Sequence, residues 1–314
     1  KKISWRKNKL SLTKKIILLA GPTASGKSKL AIKLAKKIKG EIINADSMQV
    51  YKEFCTLSSQ PSATEKHNVR HHLYGCITVK KYFSTGEWLK LVKKKIRTCF
   101  KKGITPILVG GTGLYFNVIT QGISKIPNIA NKKRLKVRDL YKKIGQEKFY
   151  KKLIKLDPLS KNKILPTDTQ RVIRAYEVKL ETKKSLYEWA SNTKSEFLDC
   201  DIRKIYLDTP REQLLDNIYK RTELMFKNKC VNEVKKFISL EVEKSLSANK
   251  LIGVKEITEY LKGSISLIQT KEFINIKTRQ YAKRQNTWSR GQMKNWNKLY
   301  SKDLISLTKK TLKL

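Results

Sequence analysis

The chain has 314 residues, 39% of them hydrophobic and 31% charged, enough to bury a substantial core in one large or two modest domains. Its formal charge of +44 draws polyanions, nucleic acid foremost, although lysine pairs such as Lys36-Lys37, Lys101-Lys102 and Lys309-Lys310 recur throughout and part of the excess is compositional background. The five cysteines (Cys55, Cys76, Cys99, Cys200, Cys230) form no C-x-x-C pair and no window of about 18 apolar residues occurs, which argues against a zinc ribbon, a disulfide framework and a membrane span and makes the reducing cytoplasm the expected location.

Lys1–Lys15 is basic and reads as a solvated tail. Ile16–Ala20 is short, continuous and rich in β-branched residues, and Gly21-Pro22 ends it, so it predicts a buried strand. Lys27–Ile38 carries a helical stripe of Leu30, Ala31, Leu34, Ala35 and Ile38, with Gly40 as its stop. Glu41–Ala45 predicts a second strand. Ser84-Thr85-Gly86-Glu87 has the form of a capping box before a helix bearing Trp88, Val92, Ile96 and Cys99, and Gly103 lies just past the end. Pro106–Val109 predicts a third buried strand, running into Gly110-Gly111-Thr112-Gly113. Strands alternating with helices predict an α/β fold: a P-loop-type parallel sheet with helices on both faces.

From about Lys125 to Ser195 strand-like runs disappear and Lys-rich helical segments surround Asp157-Pro158 and Leu165-Pro166. This predicts an inserted helical subdomain. The sheet resumes at Lys204–Leu207, and Thr209-Pro210-Arg211-Glu212 reads as a helix start with Thr209 as N-cap, Pro210 first and Glu212 third. The remainder reads as helical. The expected organisation is a basic tail (1–14), the first part of the core (15–124), a helical insertion (125–200), and core completion with C-terminal helices (201–314). No coiled-coil heptads appear, so a monomer is expected.

Gly21-Pro22-Thr23-Ala24-Ser25-Gly26-Lys27-Ser28 fits G-x-x-x-x-G-K-[ST] directly after a strand and opening a helix. The glycines let the backbone curl so that N–H groups face phosphate oxygens, and the helix start adds partial positive charge. Lys27 is placed to neutralise the distal phosphate and the Ser28 hydroxyl to ligate Mg2+. The motif alone does not separate ATP from another diphosphate. Asp46, in Asn44-Ala45-Asp46-Ser47-Met48-Gln49, follows the second strand and should reach the same rim, either as a base or a metal-linked carboxylate, or merely as a turn cap. Thr112, among glycines after the third strand, should reach it too. Arg171 and Arg174 in Gln170-Arg171-Val172-Ile173-Arg174 share a helix face, either for phosphates or as a solvated basic surface. Thr278–Trp288 is a second basic helix with Arg279 and Lys283 on one face, and its Tyr281 and Trp288 read most simply as core packing. His67, His71 and His72 lack carboxylate or cysteine partners at ligand spacing and read as structural.

Taken together, GPTASGKS (Gly21–Ser28), NADSMQVY (Asn44–Tyr51), His71-His72-Leu73, PILVGGTGLYF (Pro106–Phe116), QRVIRAYEV (Gln170–Val178) and TRQYAKRQNTW (Thr278–Trp288) resemble the tRNA dimethylallyltransferase family, in that order and over nearly the whole chain. The resemblance implies transfer of a prenyl group from dimethylallyl diphosphate, with Mg2+, to N6 of the adenosine beside the 3′ end of the anticodon. It further implies that Thr23, Lys27 and Ser28 hold the diphosphate, that Asp46 is the general base, that Thr112 meets the target nucleotide and that Arg221 helps bind pyrophosphate. Asp46, Ser47, Met48, Gln49, Gln170–Arg174 and Arg134 are then contacts to the tRNA anticodon stem-loop, with the helical insertion as clamp. Three positions depart from the family pattern: Lys229-Cys230 replaces a glycine-leucine pair, Leu57–Ser62 replaces a GTAKPS-like stretch, and Ile252-Gly253-Val254 replaces IGY, next to a tRNA contact usually placed at Lys250–Lys255. No C-terminal zinc finger follows, which resembles bacterial members. Two other functions use the same loop: a kinase phosphorylating a nucleoside or other small molecule with ATP, and an RNA-binding module without catalysis. The charge argues against the first, and intact Lys27, Ser28 and Asp46 against the second.

Overall fold

Lys15–Ala20 (β1) is buried on both faces, as a central strand of a parallel sheet must be. The computed structural model describes residues 14–300 and 304–313, so nearly all of the basic tail expected at 1–14 lies outside the described residues. The chain order continues with Lys27–Ile38 (α1), Gly40–Asn44 (β2), His71–His72 (β3), Thr85–Lys101 (α2), Thr105–Gly110 (β4) and Gly113–Gln121 (α3). Then come Asn131–Leu156 (α4), Thr169–Thr182 (α5) and Leu186–Ser191 (α6). The last part holds Asp201–Asp208 (β5), Arg211–Lys227 (α7), Cys230–Ser239 (α8), Val254–Leu261 (α9), Leu267–Gln292 (α10), Asn297–Tyr300 (β6) and Leu304–Lys313 (α11). Among the described residues no helix is long and apolar enough to cross a membrane.

The six strands form one parallel sheet in the order β3-β2-β4-β1-β5-β6. Register pairs Ala20 with both Gly110 and Tyr206, and Asn44 with Val109, so the loops after β1, β2, β4 and β5 leave from one edge. That edge is where ligands bind in open α/β sheets. One sheet face buries Ile17, Leu19, Ile42, Ile107 and Leu207 against Leu30, Ala31 and Leu34 of α1. A second core, built on Tyr51, Phe54, Val234, Ile257 and Ile274, holds the segment after β2 against α8, α9 and α10.

The chain divides into two compact units. One comprises the described residues up to Ile119 and from Asp199 onward; the other is Thr120–Leu198. In the second unit α4, broken at Gly145 (φ 77°), packs with α5 around Phe149, Leu153, Val172 and Tyr176.

Local chemistry accounts for most boundaries. The capping box before α2 forms: Ser84 Oγ accepts from Glu87 N–H at 3.2 Å, and Ser84 N–H donates to Glu87 Oε2 at 2.8 Å. Two expected ends differ. Lys39, rather than Gly40, takes the left-handed turn that closes α1 (φ 51°), because Gly40 already pairs with Thr105 in the sheet. The N-cap of α7 is Pro210 rather than Thr209, whose hydroxyl donates instead to the Ser25 carbonyl at 3.4 Å. Two of the three histidines are engaged in the fold: His72 Nε2 pairs with Glu41 Oε2 at 2.6 Å and His71 Nδ1 with the Val69 carbonyl at 2.8 Å, while His67 lines a cleft. No cluster of metal-ligating side chains occurs among the described residues.

Lys229, the first of the two positions that depart from the resembled glycine-leucine pattern, caps α8 at φ 62°. A side chain in that region costs about 1–2 kcal/mol, and glycine returns about half of that as unfolded-state entropy. Lys229→Gly is therefore expected to stabilise the fold by about 0.5–1 kcal/mol, read as a rise in thermal midpoint. An unchanged or lower midpoint would contradict it.

Candidate active site

The loop from Gly21 to Gly26 bends through positive φ at Ala24 (62°) and Gly26 (85°), which turns it around the start of α1. It is braced from outside by three groups. Asn217 Nδ2 of α7 donates to the Ala24 carbonyl at 2.9 Å, Gln285 Oε1 of α10 accepts from Thr23 N–H at 2.8 Å, and Arg221 Nη1 donates to Thr23 Oγ1. Ser25 Oγ is buried and has no partner among the described residues, an arrangement that suits a hydroxyl reserved for a phosphate oxygen. Lys27 Nζ crosses the loop to donate to the Pro22 carbonyl at 2.9 Å. Burial lowers its pKa to about 8; the neighbouring Asp46 opposes that shift and Arg221 adds to it. Arg221 is lowered by burial too, against the pull of Asp46 and Tyr281.

Asp46 stands on the turn after β2. Asn44 fixes the turn by accepting Asp46 N–H at 2.8 Å and donating to the Asp46 carbonyl at 2.9 Å, while Trp88 Nε1 donates to the Asn44 carbonyl at 3.0 Å. Asp46 Oδ1 accepts Met48 N–H at 2.9 Å. Oδ2 has no hydrogen bond among the described residues. Tyr74, Tyr115 and Tyr281 lie within the field of the carboxylate: all three phenols are pushed up, by burial first and then by the Asp46 charge, and stay neutral.

Of the residues expected from sequence, Thr23–Ser28, Asp46, Gln49 and Arg221 line one cleft of about 940 Å3, with Ser58, Tyr74 and Asn217. Gly21 and Pro22 lie buried beneath it. Thr112 Oγ1 accepts Ser47 N–H at 2.9 Å and lies 3.3 Å from Ser47 Oγ, which ties the loop after β4 to the Asp46 turn. Gln49 uses its amide nitrogen on the Ser58 and Ser59 carbonyls, at 3.0 and 2.8 Å. Met48 is half-buried against the second core. Gln60, in the Leu57–Ser62 stretch, turns inward to donate to the Tyr51 carbonyl at 2.8 Å.

The residues of the helical unit sort differently. Gln170 and Arg171 are exposed at the start of α5, with Arg171 3.3 Å from Asp168. Arg134 and Arg174 both reach the buried carboxylate of Glu177, at 3.5 and 3.4 Å. Ile173 is half-buried, and Val172 is fully buried in the unit's core, so its side chain faces away from any ligand on that surface. Sequence reasoning missed Gln285, Asn217 and the three tyrosines. Gln285 lies inside a motif already singled out, four residues after Tyr281, and that spacing was the available signal.

Three kinds of resemblance agree with this geometry. The family model described as IPP transferase matches residues 49–292. The tRNA dimethylallyltransferase of Pelagibacter ubique is 55% identical over 285 residues, covering 91% of each chain. The crystal structure of a tRNA delta(2)-isopentenylpyrophosphate transferase from Staphylococcus epidermidis matches with TM-score 0.67 and 31% identity, covering 95% of this chain and 98% of that one. A eukaryotic dimethylallyltransferase solved acting on tRNA matches with TM-score 0.78 and 27% identity, over 92% of this chain and 74% of its own. The chain belongs to the IPP transferase family.

Proposed function

We propose that the chain transfers a dimethylallyl group from dimethylallyl diphosphate to N6 of the adenosine 3′-adjacent to the anticodon of a tRNA, with release of pyrophosphate. The supporting observation is a P-loop facing a carboxylate with one unengaged oxygen, Asp46 Oδ2, across a single cleft. As the allylic C–O bond breaks, charge builds on the pyrophosphate. The loop amides, Lys27 and Arg221 stabilise that charge. The N6 nitrogen forms its bond to the allylic carbon and loses a proton, which Asp46 Oδ2 accepts. Tyr74 lines the cleft with a neutral ring and helps to exclude water that would compete for the allylic carbon.

Mg2+ fits the donors present. The Ser28 hydroxyl is exposed at the first turn of α1 and lines the cleft, a hard oxygen of the kind that holds this ion alongside phosphate and water. When bound, the ion supplies charge neutralisation to the leaving pyrophosphate. The helical unit of Thr120–Leu198 serves as the tRNA-binding part, with Gln170 and Arg171 the most accessible contacts on α5. Arg134 and Arg174, shared with Glu177, set the shape of that surface.

Incubation with unmodified tRNA, Mg2+ and either dimethylallyl diphosphate or ATP, followed by nucleoside mass analysis, tests the reading. A prenyl-sized gain on adenosine is expected only with the allylic diphosphate, and it should disappear when Mg2+ is chelated. ATP-dependent phosphorylation without prenyl gain would overturn the proposal.

A further inference from the structure

Tyr281, Gln285 and Trp288 stand four and three residues apart and so share one face of α10. That face meets the rim of the sheet at three points. The Trp288 ring lies so close to Gly113 that a Cβ there would come within 2.3 Å of it. A Cβ on Gly111 would fall 2.1 Å from Gln285 Nε2. Tyr281 lies within the field of Asp46, one turn before Gln285 on the same face. The helix itself is fixed to β5 by Asn286, whose Oδ1 accepts from Tyr206 OH at 2.6 Å.

Gln285 spends both ends of its amide on backbone. Oε1 accepts Thr23 N–H at 2.8 Å, and Nε2 donates to the Gly111 carbonyl at 3.0 Å. The first partner belongs to the P-loop after β1, the second to the loop after β4. The residue after Gly111 is Thr112, whose hydroxyl accepts Ser47 N–H at 2.9 Å beside Asp46. One bonded path therefore runs from the phosphate cradle through Gln285 to the turn that carries the base. The Thr23 N–H is also taken up by Gln285 and the Ser25 N–H by the Pro22 carbonyl, which leaves the remaining loop amides to face phosphate.

We propose that Gln285 is a positioning residue that sets the separation of the diphosphate cradle from the Asp46 base by clamping Thr23 to Gly111; its kinetic consequence rests on the transferase reading given above. Gln285→Ala removes both bonds and leaves the rest of α10 in place. A misplacement of about 1 Å costs up to about 10^2-fold in rate, so kcat is expected to fall about 10–100-fold while tRNA affinity holds. Gln285→Glu separates positioning from mere packing. As a carboxylate it keeps the Thr23 bond and repels the Gly111 carbonyl; as a neutral acid it donates to that carbonyl as the amide does. Its kcat relative to the parent chain at the same pH should rise at least about fivefold between pH 7 and pH 4.5, as the carboxyl protonates through the ordinary glutamate range at about 4.3.

Hydrogen exchange supplies a readout independent of transfer. The Thr23 and Ser47 amides should exchange at least about tenfold faster in Gln285→Ala than in the parent chain. Ser47 exchange that is unchanged would overturn the coupling whatever the activity. A parent chain that transfers prenyl groups, with Gln285→Ala within twofold of it or Gln285→Glu showing a flat ratio across pH, would overturn the positioning role. A parent chain that transfers none would instead overturn the transferase reading, with the exchange data still deciding the clamp.

Discussion

Asp46→Asn is expected to lower kcat for prenyl transfer by about 10^2–10^4-fold, the usual contribution of a positioned general base. The substitution is nearly isosteric. An Asn at this position still accepts Met48 N–H through its side-chain oxygen, so the turn after β2 keeps its shape and only basicity is lost. Two further effects follow from the charges nearby. Lys27 and Arg221 lose the one carboxylate that offsets them, so the site becomes more cationic and the KM for the allylic diphosphate should fall rather than rise. tRNA affinity rests mainly on phosphate contacts and should stay within about threefold. A fall in kcat with a falling diphosphate KM separates a lost base from a collapsed pocket, which would raise KM. Asp46→Asn with more than a tenth of parental kcat would remove Asp46 from the chemistry.

The sequence conveys the geometry around Asp46 unevenly. Local features were legible. The helix over Lys27–Ile38 was read to the residue because its apolar stripe, the preceding glycine turn and the lysine-rich exposed face all agree. β6 was not readable. Only Leu299 of Asn297–Tyr300 is buried, as befits a short edge strand, and four residues with one inward side chain make no pattern. The site was legible in proportion to sequence separation. Asp46 and Thr112 follow strands directly, so the sheet rule alone brings them to the rim. Arg221 was reached only through resemblance, because its bond to Thr23 spans 198 residues and nothing local in α7 announces it. Gln285 lies 262 residues from Thr23, and a neutral amide among the charged and aromatic residues of Thr278–Trp288 carries no local sign of a partner so distant. Thr209 misled for a related reason: a hydroxyl before proline fits an N-cap, and the loop across the rim competed for it successfully.

Lys27→Met is expected to stabilise the ligand-free protein and disable it. The Lys27 pKa falls from 10.5 to about 8, chiefly through burial, which amounts to about 3 kcal/mol against the charged form. Between those values the unfolded chain binds the proton that the folded chain does not. Stability therefore rises with pH across the window from about 8 to 10.5, and the full penalty is present below it. Met fills much the same volume without the charge. Its gain is reduced by about 1 kcal/mol for the Pro22 carbonyl left without a donor, giving a net of about 1–2 kcal/mol at neutral pH. The same change removes the cation that meets the distal phosphate, so kcat/KM for the allylic diphosphate should fall about 10^2–10^3-fold. Pyrophosphate binding to the parent chain should weaken above pH 8 as the ammonium deprotonates, and this dependence should vanish in Lys27→Met. Thermal unfolding at pH 7 and pyrophosphate titration from pH 7 to pH 9 measure both halves. A lower midpoint with pyrophosphate affinity kept within threefold would show that Lys27 is a structural cation. A higher midpoint with lost affinity would show stability given up at this position for the phosphate it holds.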